Sequence, residues 1–208
     1  MRIISALTTC PRPNGVSYLQ ETLESLLSAG FSPQVIEDPE LSGSYPALRR
    51  ALEWLLERSG DALAVFQDDI QIAKGCRAWL ENELWPFPEH RIGVVSLYTP
   101  TPCHLRNGWF SADEMPVGRT WGALALIFTR RFAEIVLTHK DRSMLTGSDT
   151  TIAGLCRQHG LAWMMHSPSL VEHIGAVSSI QTIGGRLDKN RTAGKWCRDV
   201  RELTHQRH

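Results

Sequence analysis

The sequence predicts an α/β fold in which a mixed sheet carries helices on both faces. Three observations lead there. Strand-like and helix-like segments alternate from the N-terminus, the segment Ala62 to Phe66 is apolar at every position, and it ends abruptly in Gln67-Asp68-Asp69. A strand that is apolar throughout belongs in mid-sheet, buried on both faces. In open α/β sheets ligands bind at the C-terminal edge of the strands, and that is where the polar run falls.

The elements follow in order. Arg2 to Leu7 is an apolar run that stops at Thr8-Thr9-Cys10-Pro11-Arg12-Pro13-Asn14-Gly15, where two prolines and a glycine force a loop. Ser17 and Gln20 have capping-box spacing, Leu19, Leu23, Leu26 and Leu27 repeat on one helical face, and Gly30 supplies a stop. Pro33 to Glu37 reads as a second strand. Ser44 then opens a helix carrying Leu48, Leu52, Leu55 and Leu56, which ends near Gly60. After the central strand come a helix around Cys76 to Leu84, a strand at Gly93 to Leu97, a strand at Ala123 to Phe128, a helix from Arg130 to Thr138 and another from Ser148. Between Thr99 and Thr120 the prolines Pro100, Pro102 and Pro116 and the glycines Gly108 and Gly118 leave no clean period, so a long loop is expected, with Trp109 and Phe110 inside it.

Composition bounds the function. The chain has 208 residues, 42% hydrophobic and 21% charged, which fits one globular domain over 1–208. Lys and Arg total 22 against 22 Asp and Glu, so the chain as a whole is no polycation for coating nucleic acid or an anionic membrane. Its N-terminal apolar run is too short for a signal peptide, and no stretch approaches the ~20 apolar residues that span a bilayer, so a cytoplasmic protein is expected. Cys10, Cys76, Cys103, Cys156 and Cys197 are scattered and odd in number, which argues for buried or free thiols rather than disulfides or zinc.

Two adjacent carboxylates raise each other's pKa unless something positive lies beside them, and a divalent cation does this. Mg²⁺ and Mn²⁺ prefer oxygen ligands and take one or two protein carboxylates together with substrate phosphates. Asp68 and Asp69 alone would serve equally as a solvated turn, since Asp is common there; the apolar strand before them favours the cation.

On these residues the chain resembles the GT-A family of nucleotide-sugar glycosyltransferases, in which a DXD-type signature ends a buried strand much as Phe66-Gln67-Asp68-Asp69-Ile70 does. The resemblance implies a Rossmann-like, mainly parallel sheet. It extends to Thr8, Thr9, Pro11 and Arg12 as the loop that receives the nucleotide, to Asp38 at the end of the second strand, and to Arg49 or Arg50 as a nucleotide-facing arginine. Val171-Glu172-His173-Ile174-Gly175-Ala176-Val177-Ser178-Ser179 is similar to the late H-[IV]-G-x-x-S-S segment of the branching N-acetylglucosaminyltransferases. A late histidine beside Asp69 would supply a neutral imidazole, so Asp69 and His173 are the expected ligands of Mn²⁺ or Mg²⁺. Gln67 stands where many such signatures have an acid, and is assigned to ribose or diphosphate hydrogen bonding. Asp68 is left between the metal and the donor sugar.

Gly147-Ser148-Asp149 opens a helix after a loop and resembles the acidic position of inverting GT-A enzymes, which makes Asp149 the candidate general base; a plain helix cap would explain it as well. Trp121 and Gly122 resemble the turn beneath the donor sugar. The segment 181–208 concentrates basic residues, including Lys189 and Arg191, and is expected to close over the nucleotide, or to meet a polyanionic acceptor such as DNA. The expected reaction is transfer from a nucleoside diphosphate sugar, with UDP favoured, to an acceptor hydroxyl on a glycan, a small molecule or a hydroxymethylated base of phage DNA. The rivals are a nucleotidyltransferase, which would normally bring a glycine-rich phosphate loop, and a GT-A-like domain that only binds.

Overall fold

A computed structural model of the chain describes residues 1–12, 15–85, 88–100, 107–114, 122–139, 147–175, 193 and 195–204. Its main sheet has seven strands in the spatial order β2 (Gln34–Glu37), β1 (Ile3–Thr9), β3 (Ala62–Gln67), β7 (Ala125–Thr129), β5 (Ile92–Ser96), β8 (Ala162–Ser167) and β6 (Gly108–Ser111). The parallel pairings β1–β2, β1–β3 and β5–β8 and the antiparallel ones at β7 and β6 mean that only β7 and β6 run against the rest. The sheet is thus mixed and mostly parallel, as expected. A two-stranded antiparallel sheet, β4 (Ile70–Ile72) with β9 (Val171–His173), lies beyond the end of β3.

Period-two alternation in β3 divides two cores. Ala62, Ala64 and Phe66 face the core that holds residues of α1 (Leu19–Ser28) and α3 (Cys76–Glu83). Leu63 and Val65 face the core built with α2 (Ser44–Leu56), α4 (Arg130–Thr138) and α5 (Ser148–Gln158). The C-terminal residues Cys197, Val200 and Leu203, the last in the short α6 (Arg201–Thr204), complete the first core.

Local details depart from the sequence reading in instructive ways. The capping box before α1 does not form: Tyr18 is the N-cap and makes no side-chain capping bond, Ser17 Oγ accepts from the Leu19 amide at 3.3 Å, and Gln20 bonds Glu24 instead. Leu27 is 58% exposed, because Thr22 turns inward in this helix to bond both backbone groups of Ile70. The C-terminal stop is as expected. Gly30, at φ +95°, closes a Schellman motif through Gly30 N–H to Leu27 O and Phe31 N–H to Leu26 O. Within the expected loop 99–120, Gly108–Ser111 instead pairs as β6 with the edge of β8.

Cys76, Cys156 and Cys197 are buried free thiols, and Cys10 is half-buried. Burial pushes the thiols of Cys76 and Cys156 far above the ordinary range and that of Cys197 to about 11, so all three are protonated packing groups at neutral pH. Cys103 lies outside the described residues. Among the described residues no helix is long and apolar enough to cross a membrane.

Candidate active site

Three parallel strands end at one edge, and their register aligns the groups there. Thr8 is opposite Gln67, and Thr9 is opposite Glu37. Thr8 Oγ1 donates to the Phe66 carbonyl at 3.1 Å, tying the end of β1 to the end of β3. Pro11 is exposed beyond this edge. Gln67 is half-buried at the end of β3.

Asp68 and Asp69 are both buried, and the cation beside them is Arg12. Its guanidinium grips Asp68 with two bonds, Nη2 to Oδ1 at 2.7 Å and Nη1 to Oδ2 at 3.0 Å, and also touches Asp69 Oδ2 at 3.1 Å. Thr9 Oγ1 donates to Asp68 Oδ2 at 2.5 Å. Burial opposes the charge of Arg12, but Asp68 and Asp69 outweigh it and raise its pKa further.

Asp69 meets His173 because of the small sheet. β4 and β9 pair with Ile70 opposite His173, and the Ile174 amide donates to the Asp69 carbonyl at 2.9 Å. This brings His173 Nε2 to 3.2 Å from Asp69 Oδ2. Burial works against the Asp69 charge, yet His173 and then Arg12 hold its carboxyl below the usual carboxylate range. Its other oxygen, Oδ1, is buried without a hydrogen-bond partner among the described residues. A buried lone acceptor of this kind is costly unless something fills its coordination. Gly175 makes the approach possible: a Cβ there would lie 2.7 Å from Asp69 Oδ2 and 3.1 Å from His173 Nε2.

The donor chemistry fits a hard or borderline dication taken jointly with a ligand. Carboxylate oxygen and imidazole nitrogen suit Mn²⁺, and among the described residues no group of three or more His, Cys, Asp or Glu is placed to hold a metal ion unaided. Phosphate oxygens and water would have to complete the set.

Asp149 reaches the same edge from the other half of the sheet. It is not a helix cap: Gly147 is the N-cap of α5, with no side-chain capping bond. Its Oδ2 instead accepts the Gly122 amide at 3.2 Å, and Oδ1 accepts from Ser148 Oγ at 3.2 Å. Gly122 sits at φ +141°, and a Cβ there would lie 3.3 Å from Ser96 Oγ and from the Tyr98 carbonyl, so the turn requires glycine. Two residues on, the Leu124 carbonyl accepts the Gln67 amide at 2.8 Å, which links this turn to the strand end that bears the acidic pair.

Other expected residues sit differently. Asp38 is buried, but Ser42 Oγ at 2.8 Å, Arg50 Nη2 at 2.7 Å and the Gly43 amide at 3.3 Å take its carboxylate, fixing the turn into α2. Burial opposes its ionisation, and Ser42 and Arg50 outweigh that to keep its pKa low. Arg49 does not turn toward the edge. Its guanidinium donates to the carbonyls of Val136, Leu137 and His139 at the C-terminus of α4, while Arg130 of α4 donates to Leu56, Arg58 and Gly60 after α2. The two helices cap each other's last carbonyls. Trp121, Lys189, Arg191 and the pair Ser178-Ser179 lie outside the described residues.

Sequence reading placed Arg12 in the nucleotide loop and missed its grip on the acids, because nothing in the local sequence shows that β1 and β3 are neighbours. Ser96, whose Oγ lies 2.9 Å from the Gly122 and Tyr98 carbonyls, was also missed; a lone serine at a strand end carries no signal.

No family model matches the chain, and no curated protein matches it significantly. Solved structures do. A197 from STIV aligns with a TM-score of 0.54 at 16% identity, over 83% of this chain and 85% of that one. A mutant of Drosophila β1,4-galactosyltransferase 7, solved with manganese, UDP-Gal and xylobiose, aligns with a TM-score of 0.50 at 12% identity, over 100% of this chain and 81% of that one. A CMP-2-keto-3-deoxy-manno-octonic acid synthetase with CTP aligns with a TM-score of 0.49 at 9% identity, over 79% and 89%. The mixed sheet and the first two of these alignments give the chain a Rossmann-like fold of the GT-A type.

Proposed function

We propose that this protein is a metal-dependent glycosyltransferase that moves a sugar from a nucleoside diphosphate sugar, with UDP as the favoured nucleotide, to an acceptor hydroxyl. The observation that carries the reading is Asp69. A buried carboxylate with one unpartnered oxygen, beside His173 and at the ligand-binding edge of a GT-A-type sheet, suits a cation that arrives with a diphosphate. Mn²⁺ or Mg²⁺ held by Asp69 and His173 would supply Lewis-acid stabilisation of the leaving diphosphate. Support for the nucleotide class comes from the galactosyltransferase with the same fold, whose complex holds manganese and UDP-Gal.

The chain's own groups divide the work. Thr8, Thr9, Pro11 and Gln67 gather at and just beyond the C-terminal ends of β1 and β3, where the nucleoside would lie. Asp149 takes the proton as the acceptor oxygen bonds to the anomeric carbon and the bond from that carbon to the diphosphate breaks, the in-line course of an inverting enzyme. The Gly122 turn that Asp149 holds would underlie the donor sugar. Lys189 and Arg191 would close on the diphosphate. The acceptor class that joins this site to a polyanion is a hydroxymethylated DNA base; a glycan hydroxyl fits the same chemistry.

Incubating the protein with a panel of nucleotide sugars and Mn²⁺ tests the reading. Release of free UDP from at least one donor, abolished by chelator, is expected. Release of pyrophosphate from a nucleoside triphosphate and a sugar phosphate would instead establish the nucleotidyltransferase. Binding without turnover of any donor would establish a non-catalytic domain.

Gly175→Ala is expected to lower metal-dependent UDP release by on the order of 10²-fold, because the new methyl group must push either Asp69 or His173 out of place. The thermal midpoint should change little, since Gly175 lies outside β9. Normal turnover in this variant would show that the 3.2 Å pairing of Asp69 with His173 is not needed for the reaction.

A further inference from the structure

The charge around the acidic pair is unevenly distributed. Both oxygens of Asp68 are occupied, Oδ1 by Arg12 and Oδ2 by Arg12 and Thr9. Asp69 Oδ2 is shared by Arg12 and His173, and of the four oxygens only Asp69 Oδ1 has no hydrogen-bond partner among the described residues. The Arg12 side chain is 2% exposed and lies 5.0 Å from the centroid of the Tyr18 ring, so this is a packed guanidinium and not a loose surface charge. Two carboxylates less one guanidinium leave about one net negative charge to attract a dication, and one vacant oxygen to bind it.

From this we propose that Arg12 is a built-in counter-ion that keeps Asp68 out of the cation's ligand set and so makes cation binding conditional on nucleotide. The inference rests on the glycosyltransferase reading and extends it to the order of binding. Without nucleotide, a dication gains one carboxylate oxygen and one imidazole while it faces the positive guanidinium across a buried site of low dielectric. The donor diphosphate contributes the missing negative charge and oxygen ligands, so cation and nucleotide enter together. Arg12 thereby acts as a positioning residue: it orients the acids and sets the threshold for the cation, and it touches neither the anomeric carbon nor the acceptor.

The test is Mn²⁺ binding followed by the electron paramagnetic resonance signal of free Mn²⁺, with and without saturating UDP. For the wild type we expect weak binding of Mn²⁺ alone and at least about 10-fold tighter binding with UDP, and by linkage the same factor for UDP in the presence of Mn²⁺. Arg12→Met, which removes the charge and keeps much of the length, should tighten Mn²⁺ binding in the absence of UDP by about 10-fold and shrink the coupling to UDP. The double variant Arg12→Met with Asp68→Asn should return nucleotide-free binding to the weak wild-type level.

Strong nucleotide-free binding by the wild type, equal to that with UDP, overturns the proposal without any variant. A folded Arg12→Met protein with unchanged Mn²⁺ affinity overturns it as well. Should Arg12→Met not fold, the wild-type coupling factor decides alone. Failure of Mn²⁺ to bind under both conditions speaks against the glycosyltransferase reading itself, which separates the two failures.

Discussion

Asp69→Ala and His173→Ala are each expected to reduce Mn²⁺-dependent UDP release by at least ~10³-fold, the scale for a cation that contributes several kcal/mol to leaving-group stabilisation and loses a ligand. The fold survives both changes for identifiable reasons. Asp69→Ala leaves the two hydrogen bonds from Arg12 to Asp68 in place, so no charge is stranded in the core. His173→Ala leaves the backbone pairing of β4 with β9 intact. The measurement is UDP release over a Mn²⁺ titration, with circular dichroism to check folding. If His173→Ala retains wild-type metal dependence, His173 is a partner of the Asp69 carboxylate and nothing more.

Asp149→Asn is expected to slow sugar transfer by ~10²-fold or more while UDP affinity stays near that of the wild type, because loss of a general base is felt on that scale and the amide can still hold the Gly122 turn. The amide is close to isosteric. Its carbonyl oxygen still accepts the Gly122 N–H, so the turn it holds should persist. A single-turnover measurement separates the chemical step from donor binding and product release. Unchanged turnover would reduce Asp149 to a brace for Gly122, or indicate a reaction that retains configuration.

What the sequence revealed follows from which interactions are local. Period and punctuation located β1, α1, α2, β3, α3, β5, β7, α4 and the start of α5, since each is written in a contiguous run of residues. The apolar run of β3 announced both its central position and the edge at which ligands would gather. β6, β8 and the pair β4–β9 were not legible. Ile70–Ile72 and Val171–His173 are three residues each, too short for a periodicity to show, and each exists only because the other pairs with it. The same reasoning separates the site residues. Asp68, Asp69 and Asp149 stand at element boundaries and can be found by position, whereas the partner that Arg12 or Arg49 chooses depends on which helices and strands become neighbours. Two adjacent arginines of α2 take entirely different partners, Arg49 the end of α4 and Arg50 the Asp38 turn, and no local signal distinguishes them.

The separation of the site's parts along the chain has a consequence for how the protein acquires its site. Arg12 and Asp68 are 56 residues apart, whereas Asp69 and His173 are 104 apart, and the strand that carries His173 is framed by bonds from residues near 195–200 to Ser169 and Lys74. Closing the longer loop costs somewhat more chain entropy, and its partners emerge later during synthesis. The half of the domain that holds β1 and β3 can therefore neutralise its acids with Arg12 before the histidine has been translated. A nascent chain with two uncompensated buried carboxylates would resist collapse around β3. With the arginine supplied from the loop that follows the neighbouring parallel strand, the central strand can pack first, and the pairing of Asp69 with His173 is completed last.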